Sequence, residues 1–295
     1  MTISPLEALE NHRYVYFGFQ SHPTDKDPWQ ASPMMSYSDN LITWKTITSF
    51  SDLGELRDGF VKKIGDYNYI IGTGGFFKTT DFYQFEKLGS ITNNGNWKDI
   101  WAPEIVETKD GKYYISFCAG DANNGMLDDY VTPFDPTNDS ISDQNIKITF
   151  EDDAIDNDYK IDPDITIIND SYYLTIGGNY LFSCDEIWGP YKRVFTNFAP
   201  AKQKFSAHDS GIAGWVEGPQ LFTDGEAVRL FADQTEGNGL VFRSATPDDL
   251  FDWSDSTNTH SPFKMRHGCI LVNEKVTGEA SEEQNKVQFD GKVYI

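Results

Sequence analysis

Short stretches in which aromatic and aliphatic residues dominate, most of them entered through a two-residue turn, recur five times along the chain. They are Arg13-Tyr14-Val15-Tyr16-Phe17-Gly18, Asp66-Tyr67-Asn68-Tyr69-Ile70-Ile71, Lys112-Tyr113-Tyr114-Ile115-Ser116-Phe117, Ser171-Tyr172-Tyr173-Leu174-Thr175-Ile176 and Ala227-Val228-Arg229-Leu230-Phe231. Gly65-Asp66, Asp110-Gly111 and Asp224-Gly225 stand before three of them and Asn169-Asp170 before a fourth, the turn chemistry of β-hairpins. Taking Tyr16, Tyr69, Tyr114, Tyr173 and Arg229 as equivalent gives steps of 53, 45, 59 and 56 residues. Repeats of this length built from strands alone predict an all-β chain, a five-bladed β-propeller. Helical periodicity is confined to a short segment from Leu6 to Glu10. A second shared piece, a small polar turn followed by an aromatic, ends several repeats: Asp39 to Trp44, Asp81 to Phe85 and Asp248 to Trp253. It suits an outer strand whose ring packs on its neighbour. The pattern predicts a single domain over 1–295, a whole first blade over about 12–47, and a loop excursion of the third blade from Asp135 to Asp158.

Just upstream of four of the repeated strands lie acidic signatures: Leu56-Arg57-Asp58-Gly59, Trp101-Ala102-Pro103-Glu104-Ile105, Ile161-Asp162-Pro163-Asp164 and Val216-Glu217-Gly218-Pro219. In a propeller this is the place of the innermost strand, so the carboxylates are expected at equivalent positions facing one another across the mouth of the central channel. Clustered carboxylates resist simultaneous ionisation, and one of them keeps its proton near neutral pH. An acid that can protonate a leaving oxygen beside an ionised carboxylate that can activate water, or itself attack, is the equipment of a glycoside hydrolase. Each residue also has a plainer reading. Asp58 can pair with Arg57, Asp162 before a proline can shape a turn, and Trp101 can be core. Glu217, before Gly218-Pro219, has no evident structural need to be acidic.

Composition narrows the partners. With 46 acidic and 24 basic residues the formal net charge is −22, which argues against nucleic acid and against anionic membranes. Aromatic residues make up 15% of the chain, a supply that suits strands and sugar-stacking surfaces. Cys118, Cys184 and Cys269 are odd in number and lack ligand spacing, so neither a disulfide framework nor a zinc site is expected. The N-terminus has no basic start followed by an apolar run, and no segment is apolar enough to span a membrane. A cytoplasmic protein acting on small imported substrates is expected. Gly72-Thr73-Gly74-Gly75 lacks the last glycine and the helix of a dinucleotide fingerprint and reads as a hairpin loop.

The ordered set Asp58, Trp101-Ala102-Pro103-Glu104, Ile161-Asp162-Pro163, Glu217-Gly218-Pro219 and His267-Gly268 resembles glycoside hydrolase family 43. The resemblance runs from about Leu56 to Leu271. It implies a five-bladed propeller and an inverting arabinosidase or xylosidase, acting from the chain end on α-L-arabinofuranosides or β-xylosides in short oligosaccharides. It implies Asp58 as general base, Glu217 as general acid, Asp162 as the carboxylate that tunes and orients the acid, and Trp101 and Glu104 at the border of the sugar pocket. His267 would lie near the channel axis, as substrate contact or metal ligand, where many family members hold a calcium ion or a water cluster. No cofactor is otherwise required. The chain departs from the family in having Gly59 where proline is usual, and in placing a blade before the one that bears the base. Two other readings remain: a fructan-cleaving propeller like families 32 and 68, echoed by Leu56-Arg57-Asp58 with Lys26-Asp27-Pro28 as its candidate nucleophile motif, and a sugar-binding propeller without catalysis.

Overall fold

The computed structural model describes residues 3–21, 30–93, 97–123, 126–151, 160–177, 180–197, 216–234, 239–276, 287–289 and 292–294. A short helix, α1 (Pro5–Asn11), opens the chain. Ser4 and Glu7 cap it reciprocally, Glu7 N–H donating to Ser4 Oγ at 3.2 Å and Ser4 N–H to Glu7 Oε2 at 2.8 Å, with Pro5 in the first turn.

The rest is strand. β1 (Tyr14–Ser21), β2 (Ala31–Ser38) and β3 (Lys45–Ser49) form an antiparallel meander; β4 (Arg57–Ile64), β5 (Tyr67–Thr73), β6 (Gly75–Thr79) and β7 (Glu86–Lys87) form a second. β8 (Trp97–Glu107), β9 (Tyr113–Asp121) and β10 (Leu127–Asp135) make a third sheet, edged by β11 (Ser140–Ile141) and β12 (Ile146–Lys147), which both pair with β10. The fourth comprises β13 (Asp164–Ile168), β14 (Ser171–Ile176), β15 (Tyr180–Cys184) and β16 (Lys192–Val194). The fifth comprises β17 (Val216–Thr223), β18 (Val228–Gln234), β19 (Gly239–Ala245) and β20 (Thr257–Asn258). β21 (Gly268–Val272) then returns to the first sheet, antiparallel to β1 from Tyr14↔Val272 to Gly18↔Gly268. A separate hairpin of β22 (Val287–Phe289) and β23 (Lys292–Tyr294) follows.

The innermost strands β21, β4, β8, β13 and β17 touch in that cyclic order, closing the ring of a five-bladed β-propeller. The five repeated aromatic stretches are the second strands of the five blades, β1, β5, β9, β14 and β18. Two expectations need correction. The segment at 12–47 is not a whole blade; it supplies three strands, and the innermost one comes from the other end of the chain, which locks the ring by sheet pairing. The segment from Asp135 to Asp158 is not only a loop, because β11 and β12 complete the edge of the third blade; its residues 152–158 lie outside the described set.

The apolar core is divided among the seams of the ring. Phe17, Phe50, Ile70 and Phe82 pack between blades one and two; Tyr69, Phe76, Phe117 and Phe134 between two and three. Val106, Leu174, Phe182 and Tyr191 fill the next seam, Ile168, Leu221, Leu230 and Trp253 the one after, and Tyr16, Trp44, Phe231 and Phe242 close the circle. The turn-plus-aromatic pieces serve these seams. Trp44 Nε1 donates to Leu41 O at 2.9 Å and Trp253 Nε1 to Leu250 O at 2.7 Å, each ring buried. Among the described residues no helix is long and apolar enough to cross a membrane.

Candidate active site at the channel mouth

The inner strands of blades two, three and five each break register over four residues, Arg57 to Phe60, Trp101 to Glu104 and Glu217 to Gln220. In blade four the equivalent stretch, Ile161 to Asp164, leads into β13. At its second position the backbone is left-handed every time: Asp58 (φ 53°), Ala102 (47°), Asp162 (59°) and Gly218 (52°). Bulges of this kind re-aim side chains at sheet ends, and aspartate and glycine tolerate the left-handed region best. The acids are therefore not at one equivalent position, as the sequence suggested. Glu217 occupies the first place of the bulge, Asp58 and Asp162 the second, Glu104 and Asp164 the fourth.

His267, the residue before β21, gathers three of them. Its Nδ1 lies 3.7 Å from Asp58 Oδ1 and 3.6 Å from Asp162 Oδ2, and its Nε2 lies 3.7 Å from Glu104 Oε1. The ring fits because residue 218 is glycine: a Cβ there would stand 2.3 Å from His267 Cγ. Burial lowers the affinity of the imidazole for a second proton, against the pull of Asp58, Asp233 and Glu217. Gly218 N–H donates to Asp162 Oδ2 at 2.8 Å. Burial first, then the charges of Asp58 and Glu217, push Asp162 well above the usual carboxyl range, against the Gly218 hydrogen bond that lowers it.

Asp58 and Glu217 are the acids of this set that reach solvent, their side chains 13% and 25% exposed against 5–6% for Asp162, Glu104 and His267. Asp58 Oδ2 accepts from Thr73 Oγ1 at 2.6 Å, and the same hydroxyl accepts the N–H of Ala102 at 2.9 Å. Glu217 Oε2 lies 3.6 Å from an Arg266 Nη. Arg266 also donates through Nε to the fully buried Asp233, whose Oδ2 in turn accepts His267 N–H at 3.2 Å. Burial raises Asp233 against the opposing charge of Arg266. The Phe19 ring carries the Arg57 and Arg266 guanidinium groups, 5.1 and 5.5 Å from its centroid.

Below the mouth lies a second layer. The buried carboxyls of Glu104 and Asp164 hydrogen-bond to one another, and burial with the neighbouring charge of Asp164 raises Glu104 well above its ordinary range. Asp164 itself is pushed up to about 6 by burial, against that hydrogen bond. Asp164 Oδ2 accepts Leu221 N–H at 2.8 Å, and Gln220 Oε1 accepts Ile270 N–H at 2.7 Å, tying blade five to blade one. Glu104 is accordingly buried beneath the mouth, where it faces a cavity of about 390 Å³ lined also by Lys62, Asp164, Thr166 and Gln220. Trp101 is half-buried against Cys118, Leu127 and Ile161.

The donor set does not fit a calcium ion at His267. Such an ion takes six to eight oxygens at about 2.3–2.6 Å, whereas here the imidazole itself fills the space between the carboxylates. Among the described residues no group of three or more His, Cys, Asp or Glu side chains is arranged to hold a metal. Lys26-Asp27-Pro28 lies outside the described residues. Sequence reasoning passed over Asp164, which stands inside the motif that contains Asp162, and over Thr73, Asp233 and Arg266, whose roles come from partners far along the chain.

No family model and no curated protein matches the sequence. Solved structures do match in shape. A thermostable family-43 glycoside hydrolase superposes with a TM-score of 0.53 at 11% identity, over 80% of this chain and 86% of that one. A family-43 arabinoxylan arabinofuranohydrolase from Bacillus subtilis, solved with cellotetraose, gives 0.50 at 13% identity, over 80% of this chain and 57% of that one. With its ring of five antiparallel blades and its bulged inner strands, the chain has the β-propeller fold of the family-43 glycoside hydrolases.

Proposed function

We propose that the chain is an inverting glycoside hydrolase acting at the ends of short oligosaccharides that carry α-L-arabinofuranosyl or β-xylosyl units. The observation that carries this reading is the arrangement at the mouth: the carboxyls of Asp58 and Glu217 reach solvent, and the buried Asp162 feels the charge of both. Asp58 takes a proton from a water as that water attacks the anomeric carbon. Glu217 delivers a proton to the departing glycosidic oxygen, and the bond between that oxygen and the anomeric carbon breaks. Asp162, held by the Gly218 N–H and coupled to Glu217 by charge, orients the acid and tunes its proton affinity. Trp101 offers a half-buried ring edge for the sugar.

The test is hydrolysis of a panel of 4-nitrophenyl glycosides and of short arabino- and xylo-oligosaccharides, with Glu217→Gln and Asp58→Asn alongside. A pentoside is expected to be cleaved with inversion, seen as the first-formed anomer by NMR. Glu217→Gln should lose about 10²–10⁴-fold on oligosaccharides and much less on the activated aryl glycosides. Asp58→Asn should fail on both. Equal loss on both substrate types in Glu217→Gln, or full turnover by Asp58→Asn, would sink the assignment.

A further inference from the structure

We propose that Thr73 is a positioning residue for the base, a hydroxyl whose hydrogen-bond directions commit one oxygen of Asp58 and leave the other to act. The inference rests on the catalytic reading of Asp58 given above. Thr73 closes β5 and is paired with Arg57, immediately before the bulge that carries Asp58. Its Oγ1 has two partners. One is the N–H of Ala102 on the next blade, at 2.9 Å; the other is Asp58 Oδ2, at 2.6 Å.

The directions follow from chemistry. A peptide N–H can only donate, so at Ala102 the hydroxyl is an acceptor. Its single hydrogen is then available for Asp58, and the hydroxyl donates it to Oδ2. That bond commits Oδ2. Oδ1 is the oxygen on the side of His267, 3.7 Å from Nδ1, and is the one left to receive the proton of a water. The left-handed backbone at Ala102 is part of the device. Residue 102 lies in the register break of β8, which frees its N–H from the strand ladder and lets it turn toward blade two. One side chain thus ties the bulge that holds the base to the bulge that holds Trp101 and Glu104.

Nothing in the local sequence announces this role. In Gly72-Thr73-Gly74-Gly75 the threonine occupies a hairpin turn, where a hydroxyl is ordinary. It is the registers of β4 against β5 and of β8 against β9 that bring the three groups together.

The experiment compares Thr73→Val with Thr73→Ser. Valine has the shape of threonine without the hydroxyl; serine keeps the hydroxyl. In Thr73→Val kcat on a cleaved pentoside should fall about tenfold while KM stays within about twofold. Thr73→Ser should restore kcat. An unchanged kcat, or a serine variant indistinguishable from the valine one, overturns the proposal. A second readout stands apart from catalysis. Amide exchange at Ala102 should speed up at least tenfold in Thr73→Val and remain slow in Thr73→Ser, whether or not any glycoside is turned over. If the wild type cleaves nothing, the catalytic reading falls while the exchange result still decides the Thr73 link. Unchanged exchange at Ala102 in the valine variant overturns that link even if the enzyme is active.

Discussion

Asp129 offers a measurement whose magnitude can be worked out in advance. It sits on β10 opposite Cys118, fully buried, and among the described residues neither carboxyl oxygen has a hydrogen-bond partner. Lys160, the cation that acts most on it, is committed elsewhere, its Nζ 3.2 Å from Asp128 Oδ1 and over the Phe150 ring. Burial therefore dominates and pushes the Asp129 carboxyl up to about 8, Lys160 opposing and Asp128 reinforcing. In the unfolded chain the same group titrates near 3.8. Between those values the folded state binds one proton more than the unfolded state, so its stability falls as pH rises, by about 1.4 kcal/mol per pH unit. The contribution is fully present below pH 4 and lost above pH 8. From pH 5 to 7.5 this amounts to about 3 kcal/mol. Asp129→Asn keeps the shape and removes the titration. Its unpaired amide costs about 1–3 kcal/mol, close to what the unpaired acid already costs. Urea unfolding followed by tryptophan fluorescence at half-unit steps should show the variant gaining about 3 kcal/mol relative to wild type between pH 5 and 7.5. A difference that does not change with pH, or a variant that loses ground toward pH 7.5, would mean that Asp129 is ionised and paired, and the reasoning from burial would be refuted.

Two further outcomes follow from the packing of the site. A Cβ on Gly59 would stand 2.6 Å from the Phe17 ring, so Gly59→Ala should cost about 1–3 kcal/mol by overpacking; Phe17→Leu should relieve part of that cost in a double-mutant cycle, and simple additivity of the two changes would disprove the contact. Because burial and the neighbouring charge of Asp164 push Glu104 toward its neutral form, Glu104→Gln, which can still donate, should remain within about 1 kcal/mol of wild type, whereas Glu104→Ala should lose about 2–4 kcal/mol. Comparable losses in the two, measured by urea unfolding, would show that Glu104 is needed as a charge.

The same contact accounts for the departure from the family pattern at this position. Where the family usually has proline, Gly59 admits the Phe17 ring from blade one, and Gly59 is also the residue through which β4 meets β21. A larger residue would push apart the two strands that carry Asp58 and His267.

What the chain alone determined was everything carried by local pattern. The aromatic stretches behind their turns marked the second strand of each blade because a half-buried strand needs apolar residues at short period whatever surrounds it. Asn169-Asp170 announced a hairpin because two left-handed residues in succession, at φ 48° and 62°, suit those side chains and few others. The acidic motifs mark the chain segments that lie on or lead into the innermost strands. The tertiary structure decided what depends on pairing between distant segments. β21 joins β1 across some 250 residues of chain, and five residues with no distinctive turn before them carry no local sign of that partner. The heights of the carboxylates follow from bulges, which exist only relative to a neighbouring strand. That is why Asp58, Glu104 and Glu217 looked equivalent in sequence and are not. Thr73, Asp233 and Arg266 belong to the site for the same reason. A hydroxyl, a buried acid and an arginine acquire roles here only through hydrogen bonds made between strands and across blades, at sequence separations of 15 to 33 residues.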